Sequence, residues 1–256
     1  MRRLDFIVAG VQKAGTTTLF EYMRQHPLLS VPARKELHFF DDETIDWSAP
    51  DYSRLEAWFP PSDAGQLRFD VTPIYTFWPP SLARIQAHNP DAKLIVLFRD
   101  PIERAWSHWC MEFSLNTDAL PFDVAIRSGR QRLAADPLHP SWRVYSYVER
   151  GFYSAQVRRL SGLFPPENCL FLRFDELVAD HAGVLQTVAR FLGVPEFPPS
   201  APIKANARPE RSYPTALGQD DVDYLADVLG ADLEQFAQLT GLAIDTWPTT
   251  TRRILV

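Results

Sequence analysis

The stretch from Asp5 to Leu19, DFIVAGVQKAGTTTL, constrains this chain more than any other. Phe6 to Ala9 are apolar and read as a buried strand, and Gly10 and Gly15 allow the backbone to turn tightly. Thr16, Thr17 and Thr18 then open a helix whose first N–H groups have no intrahelical acceptor. A strand, a glycine-framed turn and a helix start make an anion cradle. The Walker A pattern G-x-x-x-x-G-K-[ST] shares the gap from Gly10 to Gly15. Here, however, the lysine lies inside the loop at Lys13, and Thr16 directly follows the second glycine. Backbone donors and one mobile ammonium hold phosphate without the usual Mg²⁺ ligand, so the pattern favours phosphate binding over nucleoside-triphosphate chemistry.

The rest of the chain repeats the strand-then-helix rhythm. Lys93 to Phe98 is a continuous apolar run of the kind covered on both faces, and Arg99-Asp100-Pro101 follows it, with Pro101 suited to the first turn of a helix through about Phe113. Asn168 to Phe174 reads as a third strand, and Leu67 to Val71 as an edge or buried strand closed by Thr72-Pro73. Helical patterns cover Thr16–Gln25, Ser81–His88, Leu120–Leu133, a stretch ending near Leu163, Ala182–Leu192, Asp220–Leu229 and Asp232–Thr240. Tyr52 to Pro61 reads as a short helix or an irregular aromatic segment, and Thr246 to Val256 as a tail. The expected fold is α/β: one domain over residues 1–256, with a central parallel sheet flanked by helices.

Bulk properties exclude more than they choose. A net charge of −6 argues against a broad nucleic-acid surface but permits a small basic pocket for a compact anion. No apolar run approaches the roughly 18 residues of a spanning helix, and the N-terminal apolar strand stops too soon for a signal peptide, so cytoplasmic localisation is expected. Cys110 and Cys169 lack metal-ligand spacing and read as buried thiols. Neither metal nor nucleic acid is expected as a partner, and the sequence leaves oligomeric state open.

Further stretches carry candidate chemistry. In Lys35-Glu36-Leu37-His38-Phe39-Phe40-Asp41 the two phenylalanines anchor the segment, and Glu36, His38 and Asp41 are left to face something polar. That arrangement fits a general base near the anion site or a surface loop held by its aromatics. Thr72, Tyr75, Phe77 and Trp78 belong to an aromatic and proline cluster that either lines a cleft for a flat ligand such as a sugar or packs as a loop. Arg99 at a strand exit and Ser107 two turns into the next helix offer a guanidinium fork and a hydroxyl to one phosphate, although Arg99 has an ordinary ion-pair reading as well. Lys204, Arg208 and Arg211 collect positive charge in one loop.

Together these stretches resemble the sulfotransferase family that uses 3′-phosphoadenosine 5′-phosphosulfate (PAPS), most closely its carbohydrate branch with the heparan sulfate sulfotransferases. Gln12 to Leu19 is similar to the family's 5′-phosphosulfate loop and Leu97 to His108 to its 3′-phosphate segment. The resemblance implies that Lys13 contacts the transferring sulfuryl group, that Ala14, Gly15, Thr16, Thr17 and Thr18 surround the 5′-phosphate, and that Arg99 and Ser107 bind the 3′-phosphate. It implies Glu36 as base assisted by His38 and Asp41, after the acceptor motif of the glucosaminyl 3-O-sulfotransferases. It also implies a nucleotide-closing loop around Arg211, Ser212 and Tyr213, where Ala207-Arg208-Pro209-Glu210 replaces the family's glycine-containing approach.

The implied reaction moves a sulfuryl group from PAPS to a hydroxyl and releases 3′-phosphoadenosine 5′-phosphate (PAP), without metal. Few basic residues are available to track a long acidic polymer, so the expected acceptor is a small carbohydrate or carbohydrate-containing metabolite, with Asp41, Thr72, Tyr75, Phe77 and Trp78 on the acceptor side. His38 as the base, with Glu36 orienting it, is an alternative assignment. The rival functions are an ATP-dependent small-molecule kinase with a modified P-loop and a non-catalytic nucleotide-binding protein.

Overall fold

The computed structural model describes residues 2–61, 65–203, 205 and 213–253. They group into two compact units, Met1–Phe98 with Arg159–Ala207, and Arg99–Arg158 with Arg208–Val256.

The first unit is built on a sheet. Its elements run β1 (Phe6–Gly10), α1 (Thr16–Met23), β2 (Leu29–Ser30), α2 (Ser53–Glu56), β3 (Leu67–Val71), α3 (Ser81–His88) and β4 (Lys93–Phe98), with β5 (Cys169–Arg173) returning later in the chain. The strand order is β2-β3-β1-β4-β5, and every pairing is parallel. Phe6 lies opposite Phe69 on one side and Lys93 on the other. The continuous apolar character of β1 and β4 follows from that position, since all five residues of β1 and Leu94 to Phe98 of β4 are buried. The expected parallel α/β sheet is therefore present. It has two strands beyond the three clear ones of the sequence: β3 is an interior strand, and the two-residue β2 is too short to leave a periodic signal. Two helices, Phe174–Ala179 and His181–Leu192, follow β5, and Gly193 ends the second in a left-handed conformation at φ 75°.

The second unit is helical. Helix α4 (Pro101–Ser114) is capped by Asp100, whose carboxylate accepts from the N–H groups of Ile102 at 2.9 Å and Glu103 at 3.0 Å. Its buried face, including Ile102, Ala105, Trp106 and Trp109, joins Phe122, Tyr147, Val222, Leu225 and Leu229 in one core. Three sequence readings are corrected here. The expected helix at 120–133 breaks into Phe122–Ile126 and a 3₁₀ segment Ser128–Arg132, because Arg127 leaves helical geometry at ψ −100°. The two short C-terminal helices are one, Gln219–Thr240, which runs through Gly230; its buried stripe from Val222 to Phe236 outweighs the roughly 1 kcal/mol cost of an internal glycine. The C-terminal tail contains the turn of helix Pro248–Thr251, where Thr249 donates from N and Oγ1 to the buried Asp100 at 2.8 and 2.7 Å.

Candidate active site

The first unit carries two loops with chemistry, beginning with the turn after β1. Val11 N donates to Leu97 O at 2.8 Å, tying the turn to the neighbouring strand. Lys13 (φ 72°) and Gly15 (φ 80°) are both left-handed, and Gly15 caps α1 without any side-chain hydrogen bond to the helix start. The two glycines are sterically required. A Cβ on Gly10 would meet Thr76 Oγ1 at 2.5 Å, and one on Gly15 would meet the Phe174 ring at 2.4 Å. Ala14, Thr16 and Thr18 are buried, whereas Lys13 and Thr17 are half-buried. Glycines that admit close packing, a lysine and a helix start without a side-chain cap form a donor set that fits an anionic phosphate group.

The second loop precedes α2. Leu37, Phe39 and Phe40 are buried, while Glu36 and His38 alternate with them and keep partly exposed side chains. Glu36 (φ 61°) and His38 (φ 52°) are both left-handed, an uncommon conformation for residues with a Cβ. Asp41 is buried and accepts from His38 Nδ1 at 2.9 Å; His38 Nε2 lies 3.4 Å from Glu36, whose other oxygen pairs with Lys35. Burial raises Glu36, but the hydrogen bond from His38 and the charge on Lys35 outweigh it and bring the carboxyl down to about 2. Burial lowers His38, yet Asp41 and Glu36 together push it up to about 9. At neutral pH the group is therefore a carboxylate and an imidazolium in contact.

The residues expected on the acceptor side divide. Phe77 is half-buried, but Thr72 and Tyr75 are fully buried and Trp78 is 1% exposed. Tyr75 Oη donates to Asp70 at 2.7 Å and accepts from Phe39 N at 3.2 Å, and Thr72 Oγ1 donates to Asp70 at 2.9 Å. Trp78 Nε1 donates to Glu43 at 2.7 Å, and Glu43 also binds Arg84. The polar atoms of these three side chains are thus engaged inside the protein. Asp70 and Phe174 are the site neighbours that sequence reading missed. Phe174 left no signal, whereas Asp70, an acid between apolar residues of a strand, left a faint one.

In the second unit, Arg99 Nε donates to Glu103 at 3.0 Å, and the Arg99 carbonyl accepts from Tyr153 Oη at 2.9 Å. Ser107 is half-buried two turns into α4. Tyr213 has its ring centroid 5.8 Å from that of Trp109 and 6.2 Å from that of Trp106, so its ring belongs to the aromatic packing around α4. Arg211 and Ser212, with Lys204 and Arg208, lie outside the described residues. Cys110 is buried and Cys169 half-buried, and neither is in a disulfide. Among the described residues no helix is long and apolar enough to cross a membrane, and no group of three or more His, Cys, Asp or Glu is placed to hold a metal ion.

Known proteins resemble this chain in sequence and in fold. The family model described as "Sulfotransferase domain" matches residues 3–202. Heparan sulfate glucosamine 3-O-sulfotransferase 3B1 of Homo sapiens is 33% identical over 192 residues, which cover 73% of this chain and 45% of that protein. Heparan sulfate glucosamine 3-O-sulfotransferase 6 of Homo sapiens is also 33% identical, over 73% of this chain and 52% of its own length. The chain thus spans about half the length of these relatives. The crystal structure of a sulfotransferase from Alicyclobacillus acidocaldarius shares the fold, with a TM-score of 0.76 over 96% of this chain and 99% of the other at 24% identity. With the family model matching most of its length, the chain belongs to the sulfotransferase domain family, with heparan sulfate glucosamine 3-O-sulfotransferases among its relatives.

Proposed function

We propose that this chain, acting as one sulfotransferase domain, moves a sulfuryl group from PAPS to a hydroxyl of a small carbohydrate or carbohydrate-containing metabolite. The observation that carries the reading is the presence, in one compact unit, of a glycine-framed turn at 10–18 whose donors suit a phosphate and a contiguous Glu36–His38–Asp41 chain. Either feature alone fits many proteins; family membership makes the pair specific.

PAPS, when bound, supplies an activated sulfuryl group whose departure leaves negative charge on the 5′-phosphate. The backbone N–H groups and hydroxyls of Thr16, Thr17 and Thr18 serve that phosphate, and the Lys13 ammonium balances charge as it develops. Ala14 and Gly15 let the backbone approach. Arg99 and Ser107 serve the 3′-phosphate, with the Arg99 fork as the charged donor. Arg211, Ser212 and Tyr213 belong to the loop assigned to nucleotide closure. Glu36 takes the acceptor's proton, and His38, held charged by Asp41, fixes the carboxylate's orientation. No role is assigned to a metal.

The names of the relatives point to a glucosamine-containing acceptor. The net charge of −6 favours a small molecule over a long acidic polymer. A labelled-sulfate transfer screen with PAPS over cell extract and a panel of aminosugars and glycosides tests the reading, with products identified by mass spectrometry. Sulfated product and a strong preference for nucleotides bearing a 3′-phosphate are expected. Phosphate transfer from ATP that depends on Mg²⁺, with no sulfate transfer, would overturn it.

A further inference from the structure

We propose that Asp70, acting with Thr72 and Tyr75, anchors the backbone of the Glu36–His38 loop and is a positioning residue for the acceptor-side carboxylate. The proposal deepens the reading of Glu36 as base and rests on it only for the expected kinetics.

Asp70 sits one residue before the end of β3, opposite Ile7 of β1, and is 0% exposed. A carboxylate inside a parallel sheet is expensive to desolvate, so its hydrogen bonds have to be complete. Asp70 receives the Tyr75 hydroxyl at 2.7 Å, the Thr72 hydroxyl at 2.9 Å and the Leu37 N–H at 3.3 Å. The first two come from the turn directly after β3, whereas the third belongs to the distant Glu36–His38 loop. Thr72 Oγ1 also accepts from His38 N at 3.5 Å, and Tyr75 Oη from Phe39 N at 3.2 Å. Three consecutive loop amides, those of Leu37, His38 and Phe39, are thus received by Asp70 and the two hydroxyls that it orients.

The direction of these bonds matters. Burial and the neighbouring Asp70 hold the Tyr75 hydroxyl well above its ordinary range, so it stays a donor to Asp70 and presents its lone pairs to Phe39 N. Leu37 and Phe39 are buried at 4% and 5% exposure, which fixes the inward side of the loop, and Glu36 and His38 are left on the other. Both of the latter are at positive φ, so the loop needs external bonds to stay in that shape. Asp70 makes no hydrogen bond to Glu36; apart from the attraction between its charge and His38, its influence passes through the backbone bonds of residues 37–39.

Amide hydrogen exchange of the full chain reads the anchoring directly. In Asp70→Ala the Leu37 and Phe39 amides are expected to exchange at least about tenfold faster than in wild type, with β1 and β4 unchanged. Turnover with PAPS and a glucosamine-containing oligosaccharide should fall about 10²-fold, with PAP affinity retained. Asp70→Asn, which keeps an oxygen for the Leu37 N–H, should recover part of both. The double variant Glu36→Gln/Asp70→Ala should be no slower than Glu36→Gln, because Asp70 acts through Glu36. Unchanged protection of Leu37 and Phe39, or losses that multiply in the double variant, would overturn the proposal. Where Asp70→Ala does not fold, Tyr75→Phe removes one arm of the anchor and should speed exchange at Phe39; wild-type exchange there counts against the anchor. Full activity of Glu36→Gln would remove Glu36 as base, while faster exchange in Asp70→Ala would still support the anchor.

Discussion

The turn after β1 and the loop at Lys35–Asp41 hold left-handed residues by opposite means. The first holds Lys13 and Gly15 chiefly with backbone adjacent in sequence, two glycines between the end of a strand and the start of a helix, and distant residues, Thr76 and Phe174, only close over the glycines. The second holds Glu36 and His38 with side chains from 70–75, more than thirty residues away, and with a run of charges that includes the buried Asp41. A backbone cradle tolerates little change of shape but depends on few side chains. A loop held by side chains can be tuned one group at a time, which suits the acceptor-side role proposed for it.

The largest test of this contrast is Glu36→Gln. It is expected to lower kcat by roughly 10²- to 10⁴-fold while leaving PAP binding intact, since the charge lost belongs to the Lys35–Asp41 loop and not to the turn after β1. Isothermal titration with PAP and steady-state transfer rates check both halves, and a matching loss of PAP affinity would merge the two loops into one function.

Gly15→Ala attacks the other side. The added Cβ meets Phe174 at 2.4 Å in a left-handed residue, a strain of about 1–3 kcal/mol. Relief by deforming the turn should weaken PAP binding roughly 5- to 150-fold. Gly15→Ala combined with Phe174→Leu should regain part of the affinity by removing the clash but not the strained φ.

A pH profile sharpens the part that the Lys35–Asp41 loop plays. With Glu36 as base and His38 required as imidazolium, kcat/KM should fall above pH about 9, approaching tenfold per unit. If His38 is the base, the rate should instead climb through that range. Stability follows the same groups. The contribution of His38 is fully present below its ordinary value of 6.5 and is lost as pH rises through about 9. That of Glu36 is present above 4.5 and is lost as pH falls through about 2. Denaturant titrations at pH 6, 8 and 10, run on wild type and His38→Ala, would show the alkaline loss in wild type only.

Lys35→Met should have the smallest effect. A carboxyl at about 2 is a weak base, and removing Lys35 lets Glu36 rise toward its ordinary value. Turnover at neutral pH should change by less than about fivefold, with the acid limb of the profile moving upward. An acid limb that stays in place would show that Lys35 does not set the basicity of Glu36.

How legible the site was depended on where its forces originate. Gly10, Lys13 and Gly15 announce their turn because the conformations and anion contacts they permit are properties of the local chain. The helix start at Pro101 was readable for the same reason, although its cap, Asp100, was not singled out. Thr72 and Tyr75 were noticed as polar groups near an aromatic cluster, but whether they face a ligand or the interior depends on which segment packs above β3. The single helix at Gln219–Thr240 was missed because Gly230 is a local break that a long buried stripe overrides.

By itself, the sequence determined the parallel α/β plan and the glycine-framed turn after β1, because apolar runs, glycine spacing and helix starts act over a few residues, and it carried the motifs through which the chain resembles its family. Tertiary structure alone decided that Asp70, Thr72 and Tyr75 receive the amides of residues 37–39, and that Glu36 and His38 meet as a charged pair. The bonds from residues 70–75 to residues 37–39 join segments separated along the chain, and their energies exist only once burial has removed water from between them.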